Sequence, residues 1–381
     1  MSIGARAWTV AYVGVVAAFV AAVATYYHPE FGFTALIEFP LARHELEIPE
    51  VRNAPHYDHP DSGGYDGQFY AQLAVKPLLG DRTLDAALDT PPYRARRILV
   101  PWISYVAGLG RPAAILQAYA LHAVVAWLLL AWLVTRWIPP TTGRGFVLAS
   151  TAMLAHGPLM SVRYALPDLA AALLIAFGVL AVERRRPWRA AALVGAAGLA
   201  RDTALSGVSL FAHGLRASPA SWLRAAGCVL AAAVPLAVWF DYVRAIYRST
   251  SFAGSDHFGA PLSGFWWKAS GVWSGLARGG LSAPAIDDVA ALVAFSTQAA
   301  WLVWLLARHR DASPWVLAGL GFLALAAVAD PPVWEGSPGA YPRVFMPVML
   351  AAHTTLARRP GLWWLVALSG LDVVPGIRLL A

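Results

Sequence analysis

The chain has 381 residues, 58% of them hydrophobic and 13% charged, with a formal net charge of +7. That balance points to an integral membrane protein and excludes a soluble domain. Nucleic-acid binding is excluded because the basic residues fall in short clusters beside apolar segments, and the single cysteine, Cys228, excludes an internal disulfide.

The first apolar run, 7–27, follows Arg6. It is longer than the core of a cleaved signal peptide and reads as an uncleaved signal-anchor helix. A polar loop over 28–112 comes next. It holds 11 of the 22 acidic residues: Glu30, Glu38, Glu45, Glu47, Glu50, Asp58, Asp61, Asp66, Asp81, Asp85 and Asp89. In a chain that otherwise faces lipid, such a concentration of carboxylates points to work at the membrane surface.

Three strings in the loop carry chemistry. In His56-Tyr57-Asp58-His59-Pro60-Asp61, imidazole and carboxylate are dense enough for Asp58, His59 and Asp61 to hold a divalent cation. The spacing matches no zinc motif, and a solvated polar loop is the plainer reading. In Gly64-Tyr65-Asp66-Gly67-Gln68-Phe69-Tyr70, two glycines allow a tight turn that brings Asp66 to a substrate. Tyr65, Gln68 and Tyr70 then offer aromatic faces and an amide to a sugar ring, where an ordinary turn would need neither. Tyr93-Arg94-Ala95-Arg96-Arg97 closes the loop at the membrane edge, where Arg94 and Arg97 suit lipid headgroups or a lipid-linked phosphate. The stretch 97–110 is too short to span and is expected along the outer surface or as a partial helix.

Further apolar segments lie at 113–138, 145–158, 166–182, 189–200, 203–215, 223–243, 285–307, 313–329, 341–357 and 361–377. Arginines fill every second gap: Arg136 with Arg144, Arg184 to Arg186 with Arg189, Arg216 with Arg224, Arg308 with Arg310, and Arg358 with Arg359. The positive-inside rule makes these gaps and the N-terminus cytoplasmic, and turns the acidic loop, the segment from 244 to about 284 and the 330–340 gap outward. Segments 189–200 and 203–215 are too short to cross about 30 Å of hydrocarbon, so they predict a broken helix pair joined at Arg201-Asp202-Thr203. The Trp-rich 261–280 stretch, with Lys268, is expected at the interface.

Charges within apolar segments need partners or a cavity: Arg163, Asp168, Arg201 with Asp202, and Arg343 in Tyr341-Pro342-Arg343. Packing pairs would account for some of them. Arg343 has no acid beside it in sequence and suits a phosphate, which a guanidinium binds through two parallel hydrogen bonds. No P-loop, Gly-x-Gly-x-x-Gly or Gly-x-Ser-x-Gly string occurs, which leaves nucleotide hydrolysis and hydrolase triads without support.

One amino-terminal span, a long outer loop with a key Asp and some ten further spans resemble the GT-C class of membrane glycosyltransferases. Tyr65 to Tyr70, Tyr93 to Arg97, Leu199-Ala200-Arg201-Asp202-Thr203 and Tyr341-Pro342-Arg343 look like strings of its bacterial mannosyltransferase-like members. The likeness covers nearly the whole chain in topology and only these strings in sequence. It implies a polyprenyl-phosphate sugar as donor and a glycan, lipid or protein as acceptor. The transfer would invert the sugar, with Asp66 as general base, Arg201 and Arg343 on the phosphate, and Arg163 and Asp168 completing the sugar site. In many relatives the loop acid lies soon after the first span, whereas Asp66 follows it by some forty residues, so Glu30, Asp58 and Asp61 remain candidates for the base.

The expected fold is therefore an all-α polytopic transmembrane bundle of about eleven spans. It forms one membrane domain over 1–381, with an outer loop (28–112) carrying amphipathic helices and the remaining bundle at 113–381. The expected function is glycosyl transfer at the outer face of a bacterial inner membrane. A secondary transporter or flippase for a lipid-linked or anionic substrate, and a non-catalytic subunit of an envelope complex, are the rival readings.

Overall fold

The structure, a computed structural model, describes residues 3–215, 217–248 and 257–379. Arg216 and positions 249–256 of the expected outward segment lie outside the described residues. The chain is mainly helical, and five helices are long and apolar enough to cross a bilayer: Ile3–Ala24, Pro112–Val134, Gly143–Arg163, Pro219–Tyr247 and Ala283–His309. Pro314–Val328 and Met346–Ala357 are shorter apolar helices. Against the expected count of about eleven spans, five helices of membrane length are found among the described residues.

The difference arises where apolar segments break. Residue Ala155 is extended (φ −61°, ψ 157°) and divides Gly143–Leu154 from His156–Arg163. Arg201 is extended as well (φ −150°, ψ 119°), between the helix Pro187–Ala200 and a 3-10 helix over Asp202–Ala212. This is the broken pair that the sequence predicts. The 341–357 segment divides at Phe345, and the 361–377 segment into Trp363–Ser369 and Val373–Arg378. A helix interrupted within hydrocarbon must hand its freed backbone groups to protein or water, so such breaks cluster around polar interiors.

The acidic loop is folded rather than draped on the surface. Its apolar residues, among them Ile37, Phe39, Ile48, Val51, Leu73 and Leu84, form a core of their own that continues into Ile115, Leu116, Tyr119 and Ala120 of Pro112–Val134. All nine residues of the helix Gly67–Val75 are buried, which corrects the expectation of amphipathic helices for the element that follows Asp66. Leu99–Ala107 is buried on one side only, with Val100, Pro101 and Ser104 inside and the apolar Ile103 and Val106 exposed. A short parallel pairing sets Phe39 beside Asp58 and Pro40 beside His59, a feature that an all-α reading lacks.

The long helix Pro219–Tyr247 grips the loop from outside. Its Trp239 indole donates to the Ala95 carbonyl at 2.7 Å, and the Tyr242 hydroxyl donates to the Leu78 carbonyl at 2.6 Å. In Ser263–Gly279, Trp266, Trp267 and Trp273 are exposed as interface aromatics should be. Lys268 is not: it is buried and donates to Asp288 Oδ1 at 2.6 Å and to the Gly336 carbonyl at 2.7 Å. An ammonium removed from water needs an acid close by, which outweighs the interfacial preference of its neighbours.

Asp288→Asn leaves that ammonium without its counter-charge. It should destabilise the protein by about 3 kcal/mol, the lower end of the range for a broken buried pair because Asp288 is partly exposed. The thermal unfolding midpoint in detergent should fall accordingly, and Lys268→Met with Asp288→Leu should recover most of the loss.

Candidate functional site

Asp66 sits in helical conformation (φ −50°, ψ −32°) as the last residue before Gly67–Val75. Two close approaches fix its position. A Cβ on Gly67 would lie 2.2 Å from the Tyr164 carbonyl oxygen, and one on Gly157 would lie 2.5 Å from the Pro342 carbonyl oxygen. Side chains at these positions would push the loop away from Tyr164, and the short helix Tyr341–Val344 away from His156–Arg163. Gly64 completes the turn with φ +79°.

Around Asp66 the chain builds an alternating line of charge. Arg94 reaches Asp66 Oδ1 at 2.9 Å and also holds Asp89 through two hydrogen bonds of 2.8 and 2.7 Å. The Arg343 Nη2 donates to Asp66 Oδ2 at 3.2 Å while its Nη1 donates to Asp168 Oδ2 at 3.0 Å. Asp168 receives Arg201 on its other oxygen. Asp168 is the first residue of the helix Asp168–Glu183, where the helix dipole favours a carboxylate. Alongside, Arg97 donates to the hydroxyls of Tyr70 and Tyr93, each at 2.6 Å, and lies 3.6 Å from Asp202.

Asp66, Asp89 and the arginines of this line border a cavity of about 700 Å³, a volume typical of small-molecule sites. Five arginines (Arg43, Arg94, Arg97, Arg201, Arg343) and three acids (Asp66, Asp89, Glu335) line it. The lining therefore carries more cation than anion. The Nε atoms of Arg97 and Arg343 are buried and make no hydrogen bond among the described residues. Buried donors of this kind usually have a partner, and an incoming anion would supply one. Burial raises the pKa of Asp66, but Arg343, Arg94 and Arg97 outweigh it and hold the carboxyl at about 2.

Asp66, Tyr65, Gln68, Arg94, Arg97, Arg201 and Arg343 all line this cavity. Tyr65 stacks on Tyr164 with ring centres 4.3 Å apart. Tyr70 is buried behind the arginines, its hydroxyl accepting from Arg97 and Arg94, and is not a lining residue. Asp168 likewise stands behind Arg343 and Arg201. Arg163 is set apart: it pairs with Glu38 at 2.6 Å and lies over Tyr164. Of the alternative bases, Glu30, Asp58 and Asp61 are all absent from the lining.

Asp58 belongs to a cluster with His44, Glu47 and His56. His59 turns instead to Glu38 at 3.5 Å and to the Ala35 carbonyl at 2.9 Å, and Asp61 is outside the cluster. Sequence reasoning did not single out Arg43, His156, Tyr164, His257 or the 332–340 segment as lining residues. His257 stacks on Tyr93 with ring centres 5.5 Å apart. The outward position assigned to 330–340 was the one signal that could have drawn in Glu335. Comparison of the chain with protein-family models, curated proteins and solved structures finds no match.

Gly67→Ala places a methyl group where the Tyr164 carbonyl stands, an overpacking worth about 1–3 kcal/mol. The variant should insert and fold with a lower unfolding midpoint. Ligand protection of the loop against protease should weaken more than that global loss accounts for.

Proposed function

We propose that this protein transfers a sugar from a polyprenyl-phosphate donor to an acceptor hydroxyl, with inversion, in the cavity beside Asp66. The observation that carries the reading is the contact of Asp66 with Arg94 and Arg343 in an arginine-rich cavity. The likeness of its motifs to those of GT-C enzymes supplies the reaction class. The arginine-bearing gaps support a cytoplasmic N-terminus and an outward loop, in the inner membrane of a bacterium. The further apolar segments would complete a bundle of up to eleven crossings.

In this reaction the acceptor oxygen attacks the anomeric carbon as the bond to the phosphate oxygen breaks. The hydroxyl proton goes to Asp66, and the polyprenyl phosphate leaves as an anion held by guanidinium groups. Fixed cations stabilise the charge that grows on the leaving oxygen without reorganising at the moment of reaction. Arg343 and Arg201 are anchored from behind by Asp168, which keeps their free donors oriented.

A carboxylate held at about 2 is a poor base near neutrality. The donor phosphate resolves this by competing for the same guanidinium groups. As Arg94 and Arg343 turn to the phosphate, Asp66 loses counter-charge and its pKa climbs toward the ordinary range. Base strength is then delivered only when donor is present.

Release of polyprenyl phosphate from hexose- and pentose-linked donors by the purified protein tests the proposal. Asp66→Asn should lower kcat by about 10²- to 10⁴-fold, the usual worth of a positioned general base, with donor affinity retained or tightened because the competing carboxylate is gone. Arg343→Lys should raise the apparent KM for donor, with a monodisperse preparation as the folding control. Wild-type turnover in Asp66→Asn removes that residue from the mechanism. Movement of substrate across liposomes without release of polyprenyl phosphate replaces the enzyme by a transporter. For pH, kcat/KM for donor should stay flat on the acid side as far as the fold survives. The kcat should fall below about pH 4, because kcat reports the donor-bound carboxyl and kcat/KM the free one.

A further inference from the structure

A second cluster of ionisable groups lies in the outer loop, apart from the cavity lining. It brings together His44 from the 3-10 helix Leu41–Leu46, Glu47 just after it, and His56 with Asp58 from the segment paired to Phe39 and Pro40. One ligand atom from each of the four residues lies within 4.8 Å of the others. The close pairs are His44 Nδ1 to Asp58 Oδ2 at 2.9 Å, His56 Nε2 to Asp58 Oδ1 at 3.2 Å, His56 Nε2 to Glu47 Oε2 at 3.3 Å and His44 Nδ1 to Glu47 Oε2 at 3.7 Å. A tetrahedron with bonds of 2.0–2.2 Å has edges of about 3.4 Å. With Oδ1 as the ligand atom of Asp58, three of the six edges are given by these distances, at 3.2, 3.3 and 3.7 Å, and they bracket that value.

Hydrogen bonding does not account for the arrangement. The His44 Nδ1, both Glu47 carboxylate oxygens, His56 Nε2 and Asp58 Oδ1 are buried and make no hydrogen bond among the described residues. The side chains of His56 and Glu47 are only 2% and 3% exposed, so water cannot serve them freely. The outer nitrogen of His56, Nδ1, lies 2.9 Å from the Ala54 carbonyl and donates to it. With Nδ1 engaged there, Nε2 faces Glu47 Oε2 and Asp58 Oδ1, as a lone pair when the ring is neutral and as a second N–H when it is protonated. A metal-bound histidine characteristically gives its other N–H to a backbone carbonyl in this way.

We propose that His44, Glu47, His56 and Asp58 bind one divalent transition-metal ion, Zn²⁺ by preference, as a structural cross-link of the outer loop. Two imidazoles select against Ca²⁺ and Mg²⁺, which take oxygen ligands. Four protein ligands in a largely buried setting make a closed site, the structural rather than the catalytic form. The ion ties residues 44–47 to 56–58 in a segment that has little regular secondary structure, and Asp66 follows eight residues later. The site does not depend on the glycosyl-transfer reading.

The test uses full-length protein purified without a polyhistidine tag and stripped with chelator. Co²⁺ should bind at one ion per chain, give the intense visible absorption of tetrahedral cobalt, and be displaced by Zn²⁺. Zn²⁺ should also slow proteolysis of the loop. Loss of an outer-shell hydrogen bond alone weakens metal sites 10- to 100-fold, so His56→Ala and Glu47→Gln should weaken Co²⁺ binding by about 100-fold or more. His59→Ala and Asp61→Asn should bind as the wild type does. Asp58→Cys guards against misfolding as an explanation, since it should retain cobalt and add a sulfur-to-cobalt charge-transfer band. A wild-type protein without the tetrahedral spectrum, or a His56→Ala variant with undiminished affinity, overturns the proposal. So does an Asp58→Cys protein that binds cobalt without the new band.

Discussion

The ion-pair line from Asp89 through Arg94, Asp66, Arg343 and Asp168 to Arg201 organises this protein. Its members come from the outer loop, the start of one helix, the break after another and the short helix near residue 343. Each charge is expensive to remove from water and tolerable only beside its neighbour. The loop therefore cannot leave the bundle without stranding guanidinium groups in a poorly solvated interior. The same interaction both holds the two parts together and creates the cavity between them.

Such a line is stable while nothing competes for its cations, yet its anions are carboxylates that a phosphate could replace. The Nε atoms of Arg97 and Arg343 make no hydrogen bond among the described residues, which leaves donor capacity beyond what the carboxylates use. Under the proposed function, resting-state stability and catalytic readiness are alternatives for the same groups. Counter-charge that secures the loop also suppresses the basicity of Asp66, and the donor would shift that balance. Tyr70 and Asp168 set the orientation of the arginines from behind, so truncating them would act through another residue rather than on substrate.

The loop owes its order to several anchors. Its own apolar core merges with Pro112–Val134, and Trp239 and Tyr242 fasten it from the outside. Gly67 lets it rest directly on the Tyr164 carbonyl. A cation shared by His44, Glu47, His56 and Asp58 would strengthen a stretch whose helices, Leu41–Leu46 and Pro49–Arg52, are only six and four residues long. Two cores and one charged seam explain how a segment with half the chain's acids folds against an apolar bundle.

Much of this was legible in the residues. Apolar runs of membrane length, glycines flanking Asp66, arginines inside hydrophobic segments and the interruption at Arg201 are local features, and side-chain hydration and backbone sterics act on them locally. Span number was not legible, because a run of apolar residues looks alike whether it continues as one helix or bends at Ala155 or Phe345. Partner choice was also hidden. Arg163 pairs with Glu38 rather than Asp168, Lys268 is buried against Asp288, and the histidine–carboxylate cluster around Asp58 includes His44 and Glu47 rather than His59 and Asp61. Sequence alone determined which groups are costly to bury. Only the tertiary structure decided which opposite charge meets each of them, because Coulomb attraction depends on distance across the fold and not on separation along the chain.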